Sequence, residues 1–89
     1  MGRAEVSWKM RTEEGEKREV YVKHLGKRWI FHEREKRYDE WTEIPEPALE
    51  DWRELLDGVR RRISRRLLRP ETEDEVLKLI RLQYPDAEL

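Results

Sequence analysis

The apolar residues of this chain keep two different periods, and the change between them limits the fold more than any other feature. From Val6 to about Ile44 they alternate with polar residues, as half-buried strands require. Beyond Pro45-Glu46-Pro47 they recur at spacings of three and four, as on one face of a helix. Strands first and helices last argue for an α+β fold rather than a parallel α/β one. The expected architecture is an N-terminal antiparallel meander of three to four strands followed by two C-terminal helices, with the long helix packed on one sheet face. Eighty-nine residues allow one modest core, so residues 1–89 are read as a single domain.

Turn chemistry sets the registers. Val6, Trp8 and Met10 share one side of a first strand, and Glu13-Glu14-Gly15 reads as a three-residue hairpin loop whose last position needs the positive φ that glycine adopts freely. That loop sets Trp8 opposite Val20 and Val6 opposite Val22. Taking Leu25-Gly26 as a two-residue loop pairs Val22 with Trp29 and Val20 with Phe31, leaving His24 to close the turn. The strands then span about 4–11, 17–24, 27–34 and 38–44. The last has two possible registers, because the connection at Glu35-Lys36-Arg37 carries no glycine. One sets Trp41 beside Phe31 in the core and the other sets it beside Ile30 on the opposite face. The core placement is preferred, since a buried tryptophan stabilises more than an exposed one.

A proline at the first helical position suits a helix starting near residue 47, and Leu49, Trp52, Leu55, Leu56, Val59, Ile63 and Leu67 form its stripe to about residue 68, before Pro70. Thr72 and Glu75 have capping-box spacing for a second helix over about 73–84, with Val76, Leu77, Ile80 and Tyr84 on its apolar face and Pro85 as its stop.

Composition excludes more functions than it assigns. Without cysteine there is no disulfide framework, thiolate nucleophile or thiolate zinc site, which suits a reducing compartment and makes cytoplasm the expected location. The first residues lack an apolar stretch of signal-peptide type, and no run approaches the roughly 20 apolar residues of a spanning helix. The two histidines, predicted on opposite sheet faces, do not suit one metal, and His32-Glu33 lacks the second histidine of a zinc-protease motif because Lys36 holds that position. Glu13-Glu14 falls in a turn, while Glu50-Asp51 and Glu73-Asp74-Glu75 fall in first helical turns, where acids are expected. The four glycines are isolated, so no phosphate-cradling loop exists. No catalytic residue, cofactor or metal is therefore assigned, and the chain is read as non-catalytic.

Three surface features remain. The sheet face opposite the core carries Lys9, Arg11, Glu19, Tyr21, Lys23, Arg28, Ile30 and His32. Of these, Lys9, Arg11, Lys23 and Arg28 could meet phosphates, Tyr21 could stack on a base, and His32 lies among them. An ordinary solvated face would also be charged, and one tyrosine is little for base stacking. Formal charge is also blocked: +4 over residues 1–37, −7 over 38–57, +6 over 58–70 and −4 over 71–89, for a net of −1. In the third block Arg61, Arg62, Arg65 and Arg69 fall away from the apolar stripe, where they could grip phosphate or an acidic partner, although arginines at a helix C-terminus also simply match its dipole. Trp41 is the tryptophan best suited to be a partly exposed partner anchor. The leading reading is a small binding or accessory module that acts through a protein partner or self-association, acid block to arginine block. The alternative is single-stranded RNA or DNA on the basic sheet face, and a membrane is not expected.

Overall fold

The structure is a computed structural model that describes residues 6–35 and 39–89. The chain forms two compact units, Met1–Glu46 and Pro47–Leu89. The first is one four-stranded antiparallel sheet in the order β1 (Val6–Arg11), β2 (Lys17–Leu25), β3 (Arg28–Arg34) and β4 (Thr42–Ile44). The second is a pair of helices, α1 (Leu49–Ser64) and α2 (Glu71–Gln83). The strands-then-helices α+β order follows the change of period. Residues 4 and 5 of the expected first strand, and the expected start of the fourth at residue 38, lie outside the described residues.

The first hairpin has the expected register, with Val6 opposite Val22 and Trp8 opposite Val20. Gly15 closes it at φ +83, and Thr12 and Glu16 hold its base through a backbone bond of 2.8 Å. The second hairpin corrects the sequence reading. Its loop is Gly26-Lys27, so Leu25 pairs with Arg28, His24 with Trp29 and Val22 with Phe31. Glycine at φ +62 stands at the first loop position, as a type II′ turn asks, rather than at the second. His24 is therefore a strand residue, its ring stacked on Trp29 with centroids 3.8 Å apart. The slip is two residues, so side chains keep their faces. Val6, Val20, Val22, Trp29 and Phe31 are buried on one face, where Trp8 meets Phe31 edge to face at 6.4 Å. Arg18 Nε donates to Glu33 Oε1 at 2.7 Å at the rim of that face.

In β4 the core placement of Trp41 does not hold. Ile44 pairs with Phe31, His32 with Glu43 and Glu33 with Thr42, so Ile44 takes the core position beside Phe31. Trp41 differs from Ile44 by an odd number of residues and belongs to the opposite face. The strand is three residues long rather than seven.

Trp52, Leu55, Leu56 and Val59 of α1 and Val76 and Ile80 of α2 are buried along helical stripes. Arg60 Nε donates to Glu73 Oε2 at 2.7 Å, and Tyr84 Oη donates to the Pro47 carbonyl at 2.8 Å, joining α2 to α1 and to the segment that leads into it. Helix α1 starts two residues later than expected and ends at Ser64, four before residue 68, so Leu67 is exposed rather than part of the stripe. Pro70 precedes α2 directly and occupies its N-cap position. Thr72 is buried inside the first turn of α2 and makes no capping bond, so the expected capping box is absent. Among the described residues no helix is long and apolar enough to cross a membrane.

Candidate functional site

The register sorts the open sheet face into rows, since residues directly opposite one another share a face. One row is Lys9, Glu19 and Arg34 across β1, β2 and β3. The next is Ser7, Tyr21, His32 and Glu43 across all four strands. Lys23 pairs with Ile30 beyond it, and Leu25 with Arg28 at the turn.

Alternation and cross-strand pairing thus bring Tyr21 and His32 together, and the structure stacks them with centroids 4.7 Å apart and planes 10° from parallel. Trp41, entering β4 on the same face, reaches across β3 and meets Tyr21 edge-on at 4.6 Å and 84°. The Arg34 guanidinium lies over the Trp41 ring at 4.2 Å, and the Lys23 ammonium sits 5.9 Å from the Tyr21 centroid. The face therefore holds a three-ring cluster with a cation against two of its members.

Its electrostatics centre on Glu19. This carboxylate accepts from Arg34 Nε at 3.0 Å and lies 3.9 Å from Lys9 Nζ, so one acid ties down the cation above Trp41 and draws on a second. Lys9 remains largely exposed, as do Lys23 and Arg28. Arg11 is turned to its own hairpin, donating to the Gly15 carbonyl at 3.1 Å. Asp39, Glu40 and Glu43 stand within two residues of Trp41 in the chain and are exposed, so negative charge adjoins it there. An open groove of about 630 Å³ runs past Ser7, Lys9, Glu19, Tyr21, Lys23 and Trp41. On the same face, beneath Tyr21, His32 Nδ1 is buried without a hydrogen-bond partner among the described residues.

Of the residues singled out by sequence, Lys9, Tyr21, Lys23, Arg28, His32 and Trp41 share this face, with Arg11 at its margin. Arg34 was missed, although the alternation that selects Arg28 and His32 selects it equally. His24 stacks on the other face, so the two histidines stand apart. Among the described residues no group of three or more histidines and carboxylates is placed to hold a metal ion.

The arginine group is split. Arg61 pairs with Asp57 at 3.3 Å along α1. Arg65 and Arg69 lie beyond the helix, in the 65–70 connection, and both are exposed. Arg66, not singled out by sequence, is exposed there too, at φ +62. Comparison with family models, curated proteins and solved structures returns no match to this chain.

Proposed function

We propose that the protein is a non-catalytic module that binds single-stranded RNA or DNA on the open sheet face. The observation that carries the reading is Trp41 gathered with Tyr21 and His32 among lysines and arginines. The chemistry of a single strand matches such a face: unstacked bases offer π-surfaces for aromatic rings, and phosphates 6–7 Å apart along an extended backbone, roughly two strand residues, suit cations at alternate positions. Bases would stack at Trp41 and Tyr21, while Lys9, Lys23 and Arg28 would meet phosphate. His32 would orient Tyr21 by stacking on its ring. A chain without cysteine suits the reducing cytoplasm for this task.

A protein partner anchored on Trp41, or a second copy of this chain, is the competing reading, favoured by the ring's exposure and by the acids beside it. Anisotropy of a labelled random single strand, titrated at several salt concentrations, separates the two. Phosphate contacts make log K fall with log salt by roughly 0.7 per contact, whereas an apolar anchor responds weakly. Trp41→Ala and Tyr21→Ala should each weaken single-strand binding roughly 5- to 150-fold, the equivalent of about 1–3 kcal/mol per stacked base. Wild-type affinity in both folded variants would end the proposal.

A further inference from the structure

The connection between α1 and α2 is strained and charged at the same point. Arg66 N–H donates to the Ile63 carbonyl at 2.9 Å and Leu67 N–H to the Arg62 carbonyl at 2.8 Å, which together form a Schellman motif with Arg66 at the left-handed position. Glycine is the usual residue there because any Cβ clashes in that conformation. This chain instead sets an arginine at φ +62, the one non-glycine positive φ among its described residues. Arg65 stands beside it and Arg69 three residues on, all exposed.

Ion pairing does not explain the group, and the helix dipole explains only part of it. The dipole favours cations at the end of α1, where Arg61, Arg62 and the C-cap Arg65 stand, but neither the left-handed Arg66 backbone nor Arg69, five residues past Ser64, follows from it. Of the neighbouring acids, Asp57 pairs with Arg61 and Glu73 with Arg60, while Glu71, exposed two residues after Arg69, makes no ion pair with the group. Arg65, Arg66 and Arg69 have no ion pair among the described residues. Three like charges are thus concentrated in one short connection, one of them at a strained position, with no ion pair to them among the described residues.

We infer that Arg65, Arg66 and Arg69 form a second site, on the helical unit, that grips the backbone phosphates of a nucleic-acid strand. Guanidinium forks bind phosphate oxygens bidentately and sequence-independently, so this site adds affinity without reading bases. The inference relies on the nucleic-acid reading only for the identity of the polyanion.

The test uses a labelled deoxyribose-phosphate oligomer that carries no bases, which the arginine site can hold and stacking rings cannot. The full chain should bind it with a steep salt dependence. The triple variant Arg65→Gln/Arg66→Gly/Arg69→Gln should lower the slope of log K against log salt by about 2, from roughly 0.7 per lost phosphate contact. The double variant Tyr21→Ala/Trp41→Ala should bind the baseless oligomer like the wild type. No binding by the wild-type chain, or an unchanged slope in the triple variant, would overturn the site. If instead ordinary strands bind the ring double variant at wild-type affinity, the sheet-face reading falls while the arginine site stands on the baseless oligomer. Sedimentation of the protein alone supplies the last outcome. A mass that rises with concentration in the wild type and not in the triple variant would mean that the patch meets an acidic surface of a second copy, which also overturns it.

Discussion

Replacing Arg66 by glycine should make the protein more stable while weakening its hold on polyanions, an opposition that tests the strain and the site together. The left-handed conformation costs an L-residue roughly 1–2 kcal/mol. Glycine returns part of that gain, because its unfolded chain has more freedom to lose, by roughly 0.5–1 kcal/mol. The net expectation is a stabilisation of about 0.5–1 kcal/mol, or roughly 2–8 °C in Tm for a domain of this size. Since the side chain of Arg66 is exposed and unpaired among the described residues, its removal forfeits little packing.

Arg66→Ala is the control that divides the two causes. Alanine removes the charge but keeps the Cβ, so it relieves repulsion from Arg65 and Arg69 without relieving the backbone. Thermal unfolding followed by circular dichroism at fixed ionic strength should rank glycine above alanine, with alanine close to wild type. A shift in urea midpoint without a change of m would show that stability has changed while the surface exposed on unfolding has not. Binding of the baseless oligomer should weaken equally in both variants. A glycine variant no more stable than the alanine one would refute the strain argument, because only backbone freedom distinguishes them.

Other expectations follow from the same geometry. Gly26→Ala meets no atom within 4 Å but must hold φ +62, so it should lose roughly 1–2 kcal/mol from backbone strain alone, read as a lower Tm; a neutral substitution would contradict the turn. Phe31→Ala empties the centre of the buried sheet face, where Phe31 is 1% exposed, and should cost about 3–5 kcal/mol in urea unfolding, enough to leave a small domain largely unfolded. Glu19→Gln frees Lys9 and Arg34 from their shared acid. It should raise single-strand affinity a few-fold and steepen its salt dependence, with a stability loss under about 1 kcal/mol for partly exposed pairs. A weaker affinity in that variant would mean that Glu19 is needed to aim Arg34.

The fold was legible where period and turn chemistry agree. Alternation fixed which side chains share a face, and a two-residue slip in the second hairpin left those faces intact, so the residues read onto the basic face lie together on the observed one, which also holds Arg34 and Trp41. The slip itself was not legible, because Gly26 satisfies a positive φ at either loop position and only cross-strand packing, here His24 on Trp29, separates the alternatives. Trp41 was misplaced by weighing burial alone. The three-residue β4 has one core position opposite Phe31, and Ile44 fills it. A β-branched side chain suits the pleat, and the indole is left for the other face. The end of α1 was overrun for a related reason: the stripe continues in phase to Leu67, and an arginine gives no sign that it will adopt a conformation usually left to glycine.

The ring cluster has a structural explanation that competes with the functional one, and their magnitudes differ enough to separate them. A solvated sheet face needs no aromatic core of its own, since lysine, threonine and glutamate would serve there. Yet Trp41, 37% exposed, contributes an edge contact with Tyr21 and a cation–π contact with Arg34. At roughly 0.5–1.5 and 0.5–1 kcal/mol, these contacts could stabilise the sheet by about 1–2.5 kcal/mol beyond area burial. If stability is the whole reason for the cluster, Trp41→Phe should largely preserve it, and Trp41→Ala should lower Tm without touching any ligand. If the rings are there to meet bases, binding should fall in Trp41→Ala well below what its unfolded fraction at assay temperature explains, and Trp41→Phe should recover part of it. A variant that loses stability but keeps single-strand affinity per folded molecule would assign the cluster to the fold alone.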